Sequence, residues 1–168
     1  MQIDIGFGDA ITPAPVEASF PTILDIPAPL LLIYPKESVV AEKFEAMVKL
    51  GIANSRMKDF HDLLAMSRLF SFDGPVLAEA IQRNFERRQT KLPAAATPPT
   101  AFTAEFFDDE SKRRQWDSFN SKNRLYIEPV PLKIAIGDIE RFLMPLLIGL
   151  KNDGHWDRSW PTGGPWHD

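Results

Sequence analysis

The stretch that most constrains this chain runs from Tyr34 to Leu69, YPKESVVAEKFEAMVKLGIANSRMKDFHDLLAMSRL. Val40, Phe44, Met47 and Val48 recur at helical spacing, and Gly51 supplies a C-terminal stop, which predicts a helix from Lys36 to Leu50. A second helix is expected from about Arg56 to Phe70, capped by Asn54 or Ser55. Its inner face would carry Phe60, Leu63, Leu64 and Ser67. Two charged features interrupt this apolar logic. Lys43 stands beside the core stripe of the first helix, and Asp59 and Asp62 open the second at i and i+3, hence on neighbouring faces.

Each feature has a structural and a functional reading. Lys43 either covers apolar surface with its stem while its amine reaches water, or reaches from a packed face to a phosphate as a compact point charge. Asp59 and Asp62 either complement the helix dipole, or hold the lysine, orient a hydroxyl or act as a general base. Depth in the helix makes the dipole account weaker for Asp62 than for Asp59.

The flanking segments set the expected architecture. Residues Gln2 to Phe7 alternate polar and apolar, as a half-buried strand does. Within it Asp4 is either a residue on a solvated face or an oxygen donor for Mg2+. Val16 to Leu24 is expected to be an edge segment interrupted by Pro21. The apolar run Leu30 to Tyr34, bounded by prolines, predicts a buried strand. A third helix is expected from Asp73 to Arg88, with Asp73 as cap, Pro75 in the first turn and Val76, Leu77, Ala80, Ile81 and Phe85 inward. Leu92 to Pro99 reads as a linker. Beyond it, Thr103 to Phe107, Ser111 to Lys122 and Ile134 to Leu150 read as helices, with Trp116 and Phe119 as anchors and Pro145 as a bend. The tail after Lys151 should be irregular and pinned by Trp156, Trp160 and Trp166.

Composition excludes several classes. There is no Cys, so disulfide frameworks, Cys-ligated zinc and thiol nucleophiles are ruled out. A hydrophobic fraction of 44% supplies a real core. The formal charge of -4 gives no global attraction to nucleic acid, so any RNA contact needs a local basic patch. The run Arg83 to Lys91 is one candidate, but a basic helix C-terminus is the commoner explanation for such a run. His61, His155 and His167 have no metal spacing, and His61 is expected at the surface. No G-x-x-x-x-G-K-S/T loop, G-x-G-x-x-G turn or G-x-S-x-G elbow occurs. The longest apolar segment, Phe142 to Leu150, is too short to span a bilayer. With no signal peptide at Met1, a cytoplasmic protein is expected.

Several segments together resemble the AbiEii/AbiGii toxin family of nucleotidyltransferases. They are IDIGFGDAITP (Ile3 to Pro13), YPKESVVAEKFEAMV (Tyr34 to Val48), SRMKDFHDL (Ser55 to Leu63), FERRQTKLP (Phe85 to Pro93) and the Trp116 to Phe119 spacing. The resemblance implies an α+β chain: part of a minimal nucleotidyltransferase sheet at the N-terminus, then a mainly helical C-terminal region. The corresponding domains would be residues 1–70 and 71–168. It also implies a toxin of a toxin–antitoxin pair, some members of which transfer nucleotides from NTPs to tRNA. Carried over, Asp4 would be the strand-borne carboxylate of an Mg2+ site. Lys43 would contact the nucleotide phosphates, and Asp59 with Asp62 would be the acid of the last motif. An antitoxin would be the protein partner.

One departure stands out. The family's G-G/S-S/T turn and D-x-D pair occur nowhere in these 168 residues. A fragment, an internal start or a degenerate copy would each account for this, and the 168 residues alone are expected to transfer no nucleotide. An exposed sheet edge beside Ile3, Ile5 and the Leu30 to Tyr34 strand would favour self-association. The competing reading is a non-catalytic module that binds an antitoxin or other protein through its basic helix and tryptophan tail.

Overall fold

The computed structural model describes residues 11–168 except 24, 95–96, 124–125 and 154–155, with backbone alone at 151–153. Strands β1 (Val16–Ser19) and β2 (Leu30–Ile33) precede helices α1 (Lys36–Leu50) and α2 (Met57–Leu69). After β3 (Phe72–Asp73) come α3 (Gly74–Arg87), α4 (Ala104–Phe107), α5 (Glu110–Lys122), α6 (Leu132–Asp153) and β4 (Ser159–Trp160). The expected α+β class holds: a two-stranded sheet comes early, mainly helices follow, and a second small sheet pairs β3 with the C-terminal β4. The strand at Gln2 to Phe7, and Asp4 within it, lie outside the described residues.

The helices form because their apolar residues repeat on one face. On α1 that face is Val40, Ala41, Phe44 and Met47, all buried. It packs chiefly on α3, where Leu77, Ile81 and Phe85 face inward, and the Phe44 and Phe85 rings lie 5.4 Å apart. The inner face of α2 packs on α6, and Phe60 meets Phe106 of α4 at 5.2 Å. Each fully buried Leu or Phe contributes roughly 1.5–3 kcal/mol. The apolar stripes therefore decide that these helices dock, and the charges decide only their register.

Helix ends follow the sequence closely. Gly51 ends α1 at φ +49°, a conformation that costs a residue with a Cβ, and its N–H reaches the Met47 carbonyl. Asp73 caps α3 by accepting from the Val76 N–H, with Pro75 in the first turn. The start of α2 differs from expectation. Arg56 occupies the cap position without a side-chain cap bond, and Asn54 Oδ1 instead accepts from the Arg56 N–H one step earlier.

Two elements carry longer-range order. Lys112 of α5 is buried and donates to the Asn54 carbonyl at 2.9 Å, with its ammonium 5.2 Å from the Phe106 ring centre. That bond ties α5 to the turn preceding α2. The tail returns as β4, pairing Trp160 with Phe72, and Trp160 Nε1 donates to the Ser67 carbonyl at 2.7 Å. Trp166 likewise donates to the Phe142 carbonyl. The tryptophan pinning expected of the tail is what forms, but Ser159–Trp160 pair as a strand where an irregular segment was expected.

The buried strand expected at Leu30 to Tyr34 is corrected. Leu30 to Ile33 do form a strand, antiparallel to β1, but Leu30 and Leu32 are each 70% exposed. A two-stranded ribbon has two faces to cover, and among the described residues neither face of this one is buried. The edge segment foreseen to Leu24 likewise stops at Ser19, ahead of Pro21.

Replacing Trp160 by Ala should cost about 3–5 kcal/mol, because it empties a buried aromatic site and leaves the Ser67 carbonyl without its donor. Urea unfolding would read this as a lower midpoint with an unchanged slope. A loss under about 1 kcal/mol would mean that the tail does not stabilise the helical core.

Candidate functional site

Helix α1 delivers Lys43 toward α2 because Lys43 adjoins the buried residues Val40, Phe44 and Met47. Its stem is packed, so its amine must find partners close by. Both candidate carboxylates supply them. Lys43 Nζ lies 2.7 Å from Asp59 Oδ1 and 2.9 Å from Asp62 Oδ2. The side chains of Lys43, Asp59 and Asp62 are 19, 16 and 16% exposed. Three residues singled out from two separate helices thus form one ion triad. Asp4, the fourth candidate, lies outside the described residues.

Two further cations attend the triad. Lys58 donates to Asp62 Oδ2 at 2.6 Å, and the Arg56 guanidinium is 4.0 Å from Asp59. Burial is the largest single influence on the Lys43 ammonium and pulls its pKa down. The hydrogen bonds and charges of Asp59 and Asp62 together outweigh it, and the net result is a value above the usual 10.5. For Asp62 burial pushes upward, and the bonds from Lys58 and Lys43 overcome it to hold the carboxyl below the usual 3.8. Lys43 and Asp62 are therefore both charged at neutral pH.

A lysine ammonium has three donors. Two are engaged by Asp59 and Asp62, and Lys43 also lines a pocket of about 150 Å3 together with Glu42, Arg56, Asp59 and Arg88. A larger cleft of about 810 Å3 between the start of α2 and α5 shares Arg56 and Asp59 as walls with this pocket. On the far side of Asp62 lies an apolar hollow of about 330 Å3 lined by Val39, Met66, Leu69, Phe70 and Tyr126. Among the described residues, no group of three or more His, Asp or Glu side chains is arranged to hold a metal ion. Asp59 and Asp62 face an ammonium instead.

His61 is corrected from a surface residue to a buried one. Its ring is 5.6 Å from Phe119 and 6.2 Å from Tyr126, and Nδ1 is 3.7 Å from Asp62 Oδ1. Its Nε2 is buried without a hydrogen-bond partner. The signal was present: Met57, His61 and Leu64 fall on one helical stripe, and the histidine simply continues it. Two residues of the basic run at Arg83 to Lys91 are paired with acids. Arg83 pairs with Glu79 at 2.6 Å, and Arg88 lies 3.5 Å from the buried Glu45 and 3.8 Å from Glu42.

Fold and site together define a helical scaffold that presents a lysine–dicarboxylate triad on the edge of a basic cleft. The family described as nucleotidyl transferase AbiEii toxin, type IV TA system, matches residues 1–141, and the chain belongs to that family. No curated protein and no solved structure matches it. Membership makes it a nucleotidyltransferase-like toxin of a type IV toxin–antitoxin system, with an antitoxin as its counterpart, and nucleotidyltransferases generally use NTP and a divalent metal. Among the described residues, no helix is long and apolar enough to cross a membrane.

The triad makes a pH-dependent contribution to stability. Lys43 is raised, so its share is complete below 10.5 and is lost as pH climbs through the higher folded value. Asp62 is lowered, so its share is complete above 3.8 and is lost as pH falls through the lower folded value. Lys43→Met should cost about 2 kcal/mol, short of the ~3–5 kcal/mol for breaking a fully buried pair. The difference between wild type and variant should stay flat from pH 5 to 9 and shrink outside the limits set by the two groups. A difference that varies with pH inside that range would refute the assignment.

Proposed function

We propose that Lys43 receives the phosphates of an NTP and that Asp59, with Asp62, positions it while a nucleotide is passed to an acceptor such as tRNA. The observation that carries this reading is the triad itself. Lys43 is charged, bonds two of a lysine's three donors to carboxylates, and lines a pocket that Arg56 and Arg88 also line. The apolar hollow beyond Asp62 suits a nucleobase, which needs a planar, largely dry slot. Chemically the division is reasonable, because nucleotidyl transfer relies on fixed positive charge at the phosphates and a positioned acceptor hydroxyl.

In this reading residues 1–70 carry the charged machinery and 71–168 form the helical region that supports it. Asp4 would be a ligand of the Mg2+ that bound NTP brings, and the protein would work in the cytoplasm. Residues 1–168 contain no D-x-D pair, so as an isolated polypeptide they would bind nucleotide weakly and transfer none. Isothermal titration with ATP, GTP, CTP and UTP should detect weak binding that Lys43→Met reduces at least tenfold and Asp59→Asn reduces less. Binding indifferent to Lys43→Met, or measurable transfer to tRNA by these residues alone, would count against the reading.

A second reading, an interaction module without catalysis, draws on β2. Leu30, Leu31, Leu32 and Ile33 are all exposed, a contiguous apolar strip of the kind that marks an interface. The tryptophan tail favours this reading less than expected, since Trp160 is spent in the chain's own core. Self-association through β2 is the form of interaction we propose. Light scattering of the purified chain should show a dimer or larger species, reduced by Leu32→Lys. A monodisperse monomer at high concentration would dismiss it.

A further inference from the structure

We infer that the cleft between the start of α2 and α5 is a track for a single-stranded polynucleotide, leading to the Lys43–Asp59 edge. A chain with a formal charge of -4 gathers four cations here, Arg56, Lys58, Arg114 and Lys122, against one acid, Asp59. The wall from α5 is one continuous helical face: Ser111, Arg114, Gln115, Ser118, Phe119 and Lys122 step by three or four residues and all line the cleft.

Dimensions select the ligand. From Ser111 to Lys122 the helix advances about 16 Å at ~1.5 Å per residue. That length matches four to five nucleotides at a rise of ~3.4 Å along one strand, and a lone mononucleotide would engage only part of it. Double-stranded nucleic acid keeps its bases stacked and paired, so none is free to meet the Phe119 ring that lines the cleft. A single strand fits, with its phosphates on the cations and an unstacked base against the Phe119 ring.

The cations are available for this. Arg114 pairs with Glu110 at 2.7 Å and Lys58 with Asp62 at 2.6 Å, but the Arg114, Lys58 and Arg56 side chains are 69, 72 and 65% exposed. A pair exposed on both sides, such as Arg114–Glu110, contributes about 0–1 kcal/mol and yields to a polyanion. The cleft is also held open by the fold, because Lys112 fixes α5 to the Asn54 carbonyl at the base of α2. Since Arg56 and Asp59 line both spaces, a strand in the cleft ends at the pocket that Lys43 lines. Only the description of that strand as the acceptor rests on the nucleotide-transfer reading. Its binding does not.

Fluorescence anisotropy with labelled single-stranded RNA and DNA of about a dozen nucleotides tests the inference. The logarithm of affinity should fall with the logarithm of salt at a slope near -2.8, about -0.7 for each of four phosphates. R114Q/K122Q should weaken binding about tenfold at low salt and reduce the slope by about 1.4. Ser118→Glu, which places an acid in the same wall, should weaken it comparably, and Arg83→Gln on α3 should leave it unchanged. An unchanged slope in R114Q/K122Q, equal affinity for duplex, or equal displacement by polyglutamate would each overturn it. Lys43-dependent NTP binding without strand binding would sink the track and spare the transfer reading. Strand binding with this salt behaviour but no NTP binding would do the opposite.

Discussion

The arrangement of the site depends on one constraint: an ammonium carried on a packed helix face has to be neutralised locally. Lys43 adjoins the stripe that docks α1 against its neighbours, so its stem is committed before its charge is considered. Removing that charge from water without partners would cost several kcal/mol. Asp59 and Asp62 meet it because they stand three residues apart on α2, so both carboxylates reach one nitrogen. The register of α1 against α2 is thereby fixed by a charge whose burial was decided by Phe44 and Met47.

The same economy runs outward through the helical region. Lys112 is another lysine with a buried stem, and it is satisfied by a backbone carbonyl rather than a carboxylate. Because that carbonyl belongs to Asn54, the bond sets the distance between α5 and the start of α2, and so the width of the basic cleft. Glu45 is a third case, almost fully buried, accepting from the Thr90 hydroxyl with Arg88 nearby, which holds the end of α3 to α1. Each buried charge joins two elements distant in sequence. The apolar core alone would allow those elements to slide past one another.

Much of this was legible in the residues. The limits of α1 and α3 followed from apolar spacing, from Gly51 and from Asp73 with Pro75, which are local signals with local causes. Spacing also placed Asp59 and Asp62 on adjoining faces of α2. It could not say that both would face Lys43, because that depends on how two helices pack. His61 was misplaced for the complementary reason. Its polarity suggested solvent, whereas its position on the Met57–Leu64 stripe put it among Phe119 and Tyr126. The β2 strip was misjudged because burial of an apolar run requires something to cover it, and that is a property of the surroundings and not of the run. The cleft was invisible because its two walls are more than fifty residues apart, and neither is basic enough alone to be noticed.

That separation explains why the conspicuous basic run proved a poor guide. Arg83 and Arg88 belong to a sequence cluster, yet α3 and α1 also bring Glu79, Glu42 and Glu45 to them, so much of their charge is spent within the fold. The cleft gathers its charge by the opposite route. Arg56 and Lys58 lie beside two carboxylates already claimed by Lys43, so three cations confront two acids at the start of α2. Arg114 and Lys122 then arrive from α5, where Arg114 pairs with Glu110, and Glu110 does not line the cleft. A positive field toward solvent thus arises where the triad draws its carboxylates inward, and not where the sequence is richest in arginine.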